Sequence, residues 1–208
     1  MAIEFNTHWF DEKNRKLWDE NLVGALDVPI DLYLELGVGE GHSMRWVLEN
    51  LKPKLAIGID PYIAKSSKEV EAYKSHRAKM EENLAPWLKD GTLRIFYQPS
   101  YDVLVKESLL PKDLQFDLIY VDGNHQCYPC LLDCCLCWHL VKMNGIMIMD
   151  DYDRRWQRGW PQSYEGINAF LDGARQQYDL VWGDRCGLWT THVAIKKVRD
   201  DWINSFTP

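Results

Sequence analysis

The sequence predicts an α/β fold, a doubly wound and mainly parallel sheet, on three observations. Short apolar runs alternate with segments of helical periodicity along most of the 208 residues. A glycine-rich turn at 37–41 joins the first such run to the first well-formed helical pattern. Acids close three of the runs, at Asp60, at Asp122 and at the pair Asp150 and Asp151. The carboxyl ends of parallel strands form the edge where such sheets bind ligands.

Residues 1–29 read as an entry segment containing a helix, with Leu17, Trp18, Leu22 and Ala25 as an apolar stripe beside Asp11, Glu12, Lys13, Arg15 and Lys16. Residues 30–208 read as the main domain, and the length suits a single domain overall. In the first strand Leu32, Leu34 and Leu36 alternate with Asp31, Tyr33 and Glu35. Gly37, Gly39 and Gly41 then interrupt, and Met44, Val47, Leu48 and Leu51 recur at helical spacing. Glycines there allow positive φ and clear space for a ligand, while the helix behind offers free N–H groups. A nucleotide-like cofactor fits such a turn. The dinucleotide fingerprint G-x-G-x-x-G would need its third glycine at 42, where the chain has His42.

The second strand, 55–60, ends in Asp60 and is stopped by Pro61. Asp60 follows Gly37 by 23 positions, near the spacing of about 20 at which nucleotide folds set a carboxylate on ribose hydroxyls; a helix cap or turn is the other role open to it. A long helix follows on Val70, Tyr73, Arg77, Met80, Leu84 and Trp87, with Pro86 marking its end. The third strand, 93–98, leads to Pro99 and Ser100. The fourth, 116–122, leads directly to Gly123, Asn124 and His125. A helix from near Pro129 to Leu140 is apolar almost all round, as burial against a sheet requires. The fifth strand, 145–150, ends in Asp150, Asp151 and Tyr152. A loop at 153–165 carries Arg154, Arg155 and Arg158, which either grip an anionic substrate or are solvated. A helix with Ile167, Phe170, Leu171 and Ala174 inward precedes two last strands, 178–182 and 189–195, read as an antiparallel pair.

Asp122, Asp150 and Asp151 bring up to three negative charges to one rim, which is unfavourable unless a cation or protons compensate. Oxygen ligands without a neighbouring thiol suit magnesium or a similar hard divalent ion; two solvated acids and a cap are the alternative. Five of the six cysteines cluster at Cys127, Cys130, Cys134, Cys135 and Cys137. Cys130 and Cys137 would lie about 10 Å apart along a helix, too far for sulfurs sharing a zinc, so the cysteines read as small core residues, with a regulatory or incidental thiol as the alternative.

Two stretches carry a resemblance. Glu-x-Gly-x-Gly-x-Gly, from Glu35 to Gly41, resembles motif I of the class I S-adenosylmethionine-dependent methyltransferases. The block FDLIYVDGNHQCYPCLLDCCLCWHLVKMNGIMIMDDY at 116–152 is similar to the strand, Asp-Gly-x-His, helix, turn, strand, Asp-Asp-Tyr block of methyltransferases related to catechol and macrolide-sugar O-methyltransferases. Together they cover roughly 30–152. The resemblance implies a Rossmann-like, seven-stranded sheet with an antiparallel last strand. It implies S-adenosylmethionine held by Glu35, Gly37, Gly39, Gly41, Ser43, Asp60, Ser100 and Asp122, and Mg²⁺ held by Asp122, Asp150 and Asp151. Ser100 is either an adenine contact or a turn former. Asp122 and His125 become the catalytic candidates, His125 as a base near neutrality or, equally, as a supporting or core histidine. The chain departs from the pattern in its cysteine-rich helix and in Lys142, Met143, Asn144 and Gly145, where Lys-Pro-Gly-Gly is frequent.

The expected reaction is O-methylation of a small-molecule hydroxyl. An NAD(P)-dependent oxidoreductase and a non-catalytic cofactor-binding module are the alternatives. The net charge of −7 gives no attraction to a phosphate backbone, so nucleic acid is not an expected partner. No run approaches the roughly 20 apolar residues of a membrane span, and the N-terminus lacks a signal-peptide pattern. A cytoplasmic location is expected, which suits unpaired thiols, and the sequence leaves room for a homo-oligomer.

Overall fold

The computed structural model describes residues 5–7, 10–26, 29–63, 70–105, 109–111, 113–152, 162–183 and 191–200. In chain order the elements are α1 (Glu12–Ala25), β1 (Leu32–Leu36), α2 (His42–Asn50), β2 (Leu55–Ile59), α3 (Val70–Asn83), α4 (Ala85–Asp90), β3 (Leu93–Phe96), α5 (Ser100–Val105), β4 (Phe116–Val121), α6 (Cys127–Leu140), β5 (Val141–Met149), α7 (Ser163–Gly173), β6 (Tyr178–Trp182) and β7 (Val193–Lys197). The strands form a seven-stranded sheet in the order β3-β2-β1-β4-β5-β7-β6. β1 with β2, β2 with β3 and β4 with β5 are parallel pairs, whereas β7 is antiparallel to both β5 and β6. Parallel neighbours need a crossover, and α2, α3 with α4, and α6 fill those connections. The expected mainly parallel sheet with its antiparallel last strand is present. Two compact units divide the chain, Met1–Pro111 and Lys112–Pro208.

In the first unit β1 and β2 are buried along nearly their whole length, as a parallel sheet covered on both faces demands. Asp11 caps α1 by accepting from the Asn14 N–H at 3.0 Å. Asn14, Trp18 and Leu22 form the buried line of that helix, with Leu17 and Ala25 half-buried beside it. Trp18 packs edge-on against Phe10 and Trp46, with ring centroids at 4.8 and 5.3 Å. The long helix expected to end at Pro86 is instead two helices. α3 stops at Asn83, and Pro86 sits in the first turn of α4, where its missing N–H costs nothing and its fixed φ suits the start of a helix.

In the second unit the core is built by Leu118, Ile119, Ile146, Met147, Ile148, Val193, Ala194 and Ile195, all fully buried. β5 begins at Val141, earlier than expected. Phe116 pairs with Val141 and Leu118 with Ile146, so the register shifts between them, and Asn144 at φ 66° makes the local bend. α6 packs against α7, and Gly166 permits that approach: a Cβ there would collide with the Cys127 carbonyl. Lys197, 1% exposed, donates to the carbonyls of Trp138 and Val141 at 3.3 and 3.2 Å and so closes the C-terminus of α6. Among the described residues no helix is long and apolar enough to cross a membrane.

Candidate functional site

Each unit carries its own cluster. In the first, β1 ends at Leu36 and the chain takes left-handed φ angles of 82°, 55° and 84° at Gly37, Gly39 and Gly41 before α2 starts. Gly41 has a second constraint, since a Cβ there would lie 2.7 Å from the Leu84 side chain. Glycine is required at this turn by both conformation and space. Asp60, just past β2, accepts from the Gly39 N–H through Oδ2 and from the Tyr62 N–H through Oδ1, each at 2.9 Å. Burial raises the Asp60 pKa against the lowering effect of these backbone bonds. Tyr62, itself at φ 47°, returns its hydroxyl to the Gly39 carbonyl at 2.8 Å. Gly39 is thus held at both its N–H and its C=O.

Glu35 and Ser43, expected as cofactor contacts, are hydrogen-bonded to each other. Glu35 is fully buried and accepts from the Ser43 and Tyr33 hydroxyls, both at 2.6 Å. Burial pushes its pKa up to about 8 despite those two hydrogen bonds, with the Asp60 charge adding to the rise. The pair braces β1 to the start of α2. Ser100 opens α5, half-buried, in the same unit.

Sequence reading missed Glu40. It lies between two of the glycines and is 1% exposed. Its Oε2 accepts from the N–H groups of Asn6 and Thr7 at 2.7 and 3.3 Å, and its Oε1 meets His76 Nδ1 at 2.9 Å. Burial opposes ionisation, but the Asn6 and His76 contacts outweigh it and lower the pKa. One carboxylate therefore ties the N-terminal segment and α3 to the turn. The only signal in the sequence was a charged residue among glycines at a position the motif leaves free.

In the second unit, β4 and β5 deliver Asp122, Asp150 and Asp151 just beyond their last residues, with the Asp150 N–H donating to the Val121 carbonyl at 3.0 Å. His125 Nε2 lies 3.0 Å from Asp151 Oδ2 and 3.6 Å from Asp122 Oδ1. One ligand atom from each of Asp122, His125 and Asp151 falls within 4.8 Å of the others. Two carboxylates and an imidazole at that spacing are a donor set that fits a divalent ion.

Asp150, the third member of the expected set, is engaged elsewhere. Its Oδ1 meets His192 Nε2 at 2.9 Å and the Asp151 N–H at 2.7 Å, and its Oδ2 accepts from the Tyr120 hydroxyl at 2.8 Å. Burial works to raise its pKa, yet the His192 imidazole and these donors bring it down to about 2. Neither His192 nor Tyr120 was anticipated. The available signal was a histidine just before the apolar run of the last strand, which is antiparallel to the strand that ends just before Asp150.

Cys130, Cys134 and Cys137 are buried in α6, as expected of core residues. Burial pushes the Cys137 thiol well up, and a hydrogen bond with Cys130 together with burial does the same to Cys134, so both stay neutral. Among the described residues the cysteines form no metal-binding group. Arg154, Arg155 and Arg158 lie outside the described residues.

A family model for a methyltransferase domain matches residues 34–152, which include the glycine turn, Asp60 and the whole acidic rim. An uncharacterized protein of Acanthamoeba polyphaga mimivirus is 28% identical over 154 residues, 73% of this chain and 64% of that protein. The chain thus spans just under two thirds of that relative. Among solved structures, an O-methyltransferase from Bacillus cereus in complex with S-adenosylhomocysteine aligns with a TM-score of 0.65 at 15% identity, covering 93% of this chain and 84% of that one. The O-methyltransferase TomG from Streptomyces achromogenes, in complex with S-adenosylmethionine, also gives 0.65, at 16% identity over 94% and 84%. At these identities the likeness is one of fold.

Proposed function

The chain belongs to the methyltransferase domain family, and from that premise we propose that it transfers the methyl group of S-adenosylmethionine to a hydroxyl of a small molecule with the help of a divalent ion. The observation that carries the metal-assisted, oxygen-directed reading is the gathering of Asp122, His125 and Asp151 on the rim of the second unit.

In the reaction an acceptor oxygen bonds to the methyl carbon, the carbon–sulfur bond breaks, and S-adenosylhomocysteine leaves with the bonding pair on sulfur. The hydroxyl proton must go to a base. His125 is suited to take it, since imidazole titrates near neutrality and its Nε2 lies on the same rim, 3.0 Å from Asp151 Oδ2. Asp122 and Asp151 would hold the ion, with Asp150 bonded behind Asp151. A bound divalent ion supplies Lewis acidity that orients an acceptor oxygen and lowers its pKa. In the first unit the glycine turn would bind the cofactor. The Asp60 carboxylate accepts from backbone N–H groups of Gly39, Tyr62 and Val38 and, with about four lone-pair sites, keeps acceptor capacity for a ribose hydroxyl. Glu35 and Ser43 would act on the cofactor through the turn they brace.

Labelled methyl transfer across a panel of phenolic and sugar hydroxyls, with calorimetric titration of S-adenosylhomocysteine and NADH, tests the reading. S-adenosylhomocysteine should bind and NADH should not. Activity should require Mg²⁺ or a similar ion, and Asp151→Asn should cost far more in metal dependence than in cofactor affinity. His125→Ala should lower kcat by about 10²-fold or more if the base is His125. Full activity in excess EDTA would remove the ion from the mechanism, and binding of NADH alone would remove the methyl transfer.

A further inference from the structure

Asp151 has φ 58°, a left-handed conformation that side chains other than glycine's rarely adopt. That conformation sets the direction of the carboxylate that meets His125, so whatever holds it also holds the rim. Three groups hold it. Asp150 Oδ1 accepts from the Asp151 N–H, Ser163 Oγ donates to the Asp151 carbonyl at 2.8 Å, and the next N–H, that of Tyr152, donates to the Thr191 carbonyl at 2.9 Å. Asp150 is fixed in turn by Tyr120 and by His192, whose side chain is entirely buried at the entry to β7. Tyr120 and His192 also meet each other, edge-on at 5.7 Å between ring centroids and 3.3 Å between hydroxyl and Nε2. Thr191 and His192 therefore grip the same turn, one by its backbone and one by its side chain.

We infer that His192 is a positioning residue of the candidate ion site: acting through Asp150, it fixes the left-handed turn at Asp151 that directs the Asp151 carboxylate toward Asp122 and His125. Partners that orient a ligand from behind typically govern metal affinity by 10- to 100-fold when removed, and Asp150 with His192 is such a layer. The inference rests on the divalent-ion reading above.

The test is Mn²⁺ binding by the full chain, followed by electron paramagnetic resonance, with S-adenosylhomocysteine affinity and thermal melting measured alongside. His192→Phe keeps an aromatic ring and removes both nitrogens; it should weaken Mn²⁺ binding by about 10- to 100-fold while leaving S-adenosylhomocysteine affinity within about twofold. His192→Gln, which restores a donor, should recover part of the loss. Tyr120→Phe removes the other side-chain donor to Asp150 and serves as the second probe if the first variant does not fold; it should lose Mn²⁺ affinity several-fold. Unchanged Mn²⁺ affinity in the folded variants, beside an Asp151→Asn protein that has lost it, overturns the role of His192 and leaves the ion site standing. A wild-type protein that binds no Mn²⁺ overturns the ion site itself and the inference with it.

Discussion

Glu35 is a carboxyl group enclosed on every side, and its chemistry follows from that enclosure. The folded chain keeps a proton on it up to about pH 8, whereas the unfolded chain releases it near 4.5. The folded state therefore binds more protons than the unfolded state between those values. Its contribution to stability is whole below the lower value and is lost as pH rises through the upper one. Asp60, also raised by burial, acts in the same direction. Thermal melts of the ligand-free protein from about pH 5 to about pH 8 should show Tm falling with pH. Glu35→Gln should flatten that fall, because the amide stays neutral and the Ser43 and Tyr33 hydroxyls can donate or accept to suit it. Equal pH slopes for the two proteins would disprove the assignment. The motif in the sequence marked Glu35 as a cofactor contact at the end of the first strand, just before the turn. That it braces the turn was not legible, because a spacing pattern does not report that the Ser43 hydroxyl, from beyond the turn, and the Tyr33 hydroxyl converge on one buried acid. For the same reason the acids at 122, 150 and 151 could be placed on one edge from sequence, but the split between Asp151, which meets His125, and Asp150, which turns to His192, depends on a φ angle and on a strand distant in the chain.

At the scale of elements, helix pairing in the second unit sets a limit that sequence periodicity cannot show. α6 and α7 pack so closely at Gly166 that its hydrogen faces the Cys127 carbonyl, with the Leu131 amide nitrogen 3.1 Å from where a Cβ would stand. Gly173, at the end of α7, has nothing within 4 Å of the same position. Both are helical glycines, so propensity alone favours alanine at each. Gly166→Ala should instead destabilise by about 1–3 kcal/mol through overpacking, while Gly173→Ala should be neutral or stabilise slightly. Chemical denaturation of the two variants measures the difference, and a Gly166→Ala protein as stable as Gly173→Ala would mean the helices separate without cost. The existence of both helices was readable from their apolar positions. Their boundaries and fit were not, as with Pro86, which sequence alone placed at a helix end and the chain uses at a helix start. Cys130, Cys134 and Cys137 were legible as core residues, because helical rise already separated the sulfurs too widely for a shared zinc, whereas Cys135 is exposed.

Across the whole molecule, the mainly parallel sheet with its antiparallel end was the most legible feature, since doubly buried parallel strands announce themselves as apolar runs and the final antiparallel pair by its short connection; the order of the strands was not. The proposed small-molecule acceptor is tested through charge, a property of the entire chain. With 24 Lys and Arg against 31 Asp and Glu, the net charge gives no general attraction to polyanions at neutral pH. A protein that grips six to ten phosphates loses about 10³- to 10⁵-fold in affinity between roughly 50 and 200 mM salt, because the counterions it displaced return. Methyl transfer by this chain should lack that signature. Radiolabelled S-adenosylmethionine added with the protein to a deproteinised cell extract should label the small-molecule fraction and leave the RNA fraction unlabelled. The rate should change by no more than about twofold over that salt range, and excess RNA should not compete. Label in RNA, with a rate that falls steeply as salt rises, would show that local basic groups outweigh the net charge and would move the acceptor from a small molecule to a nucleic acid.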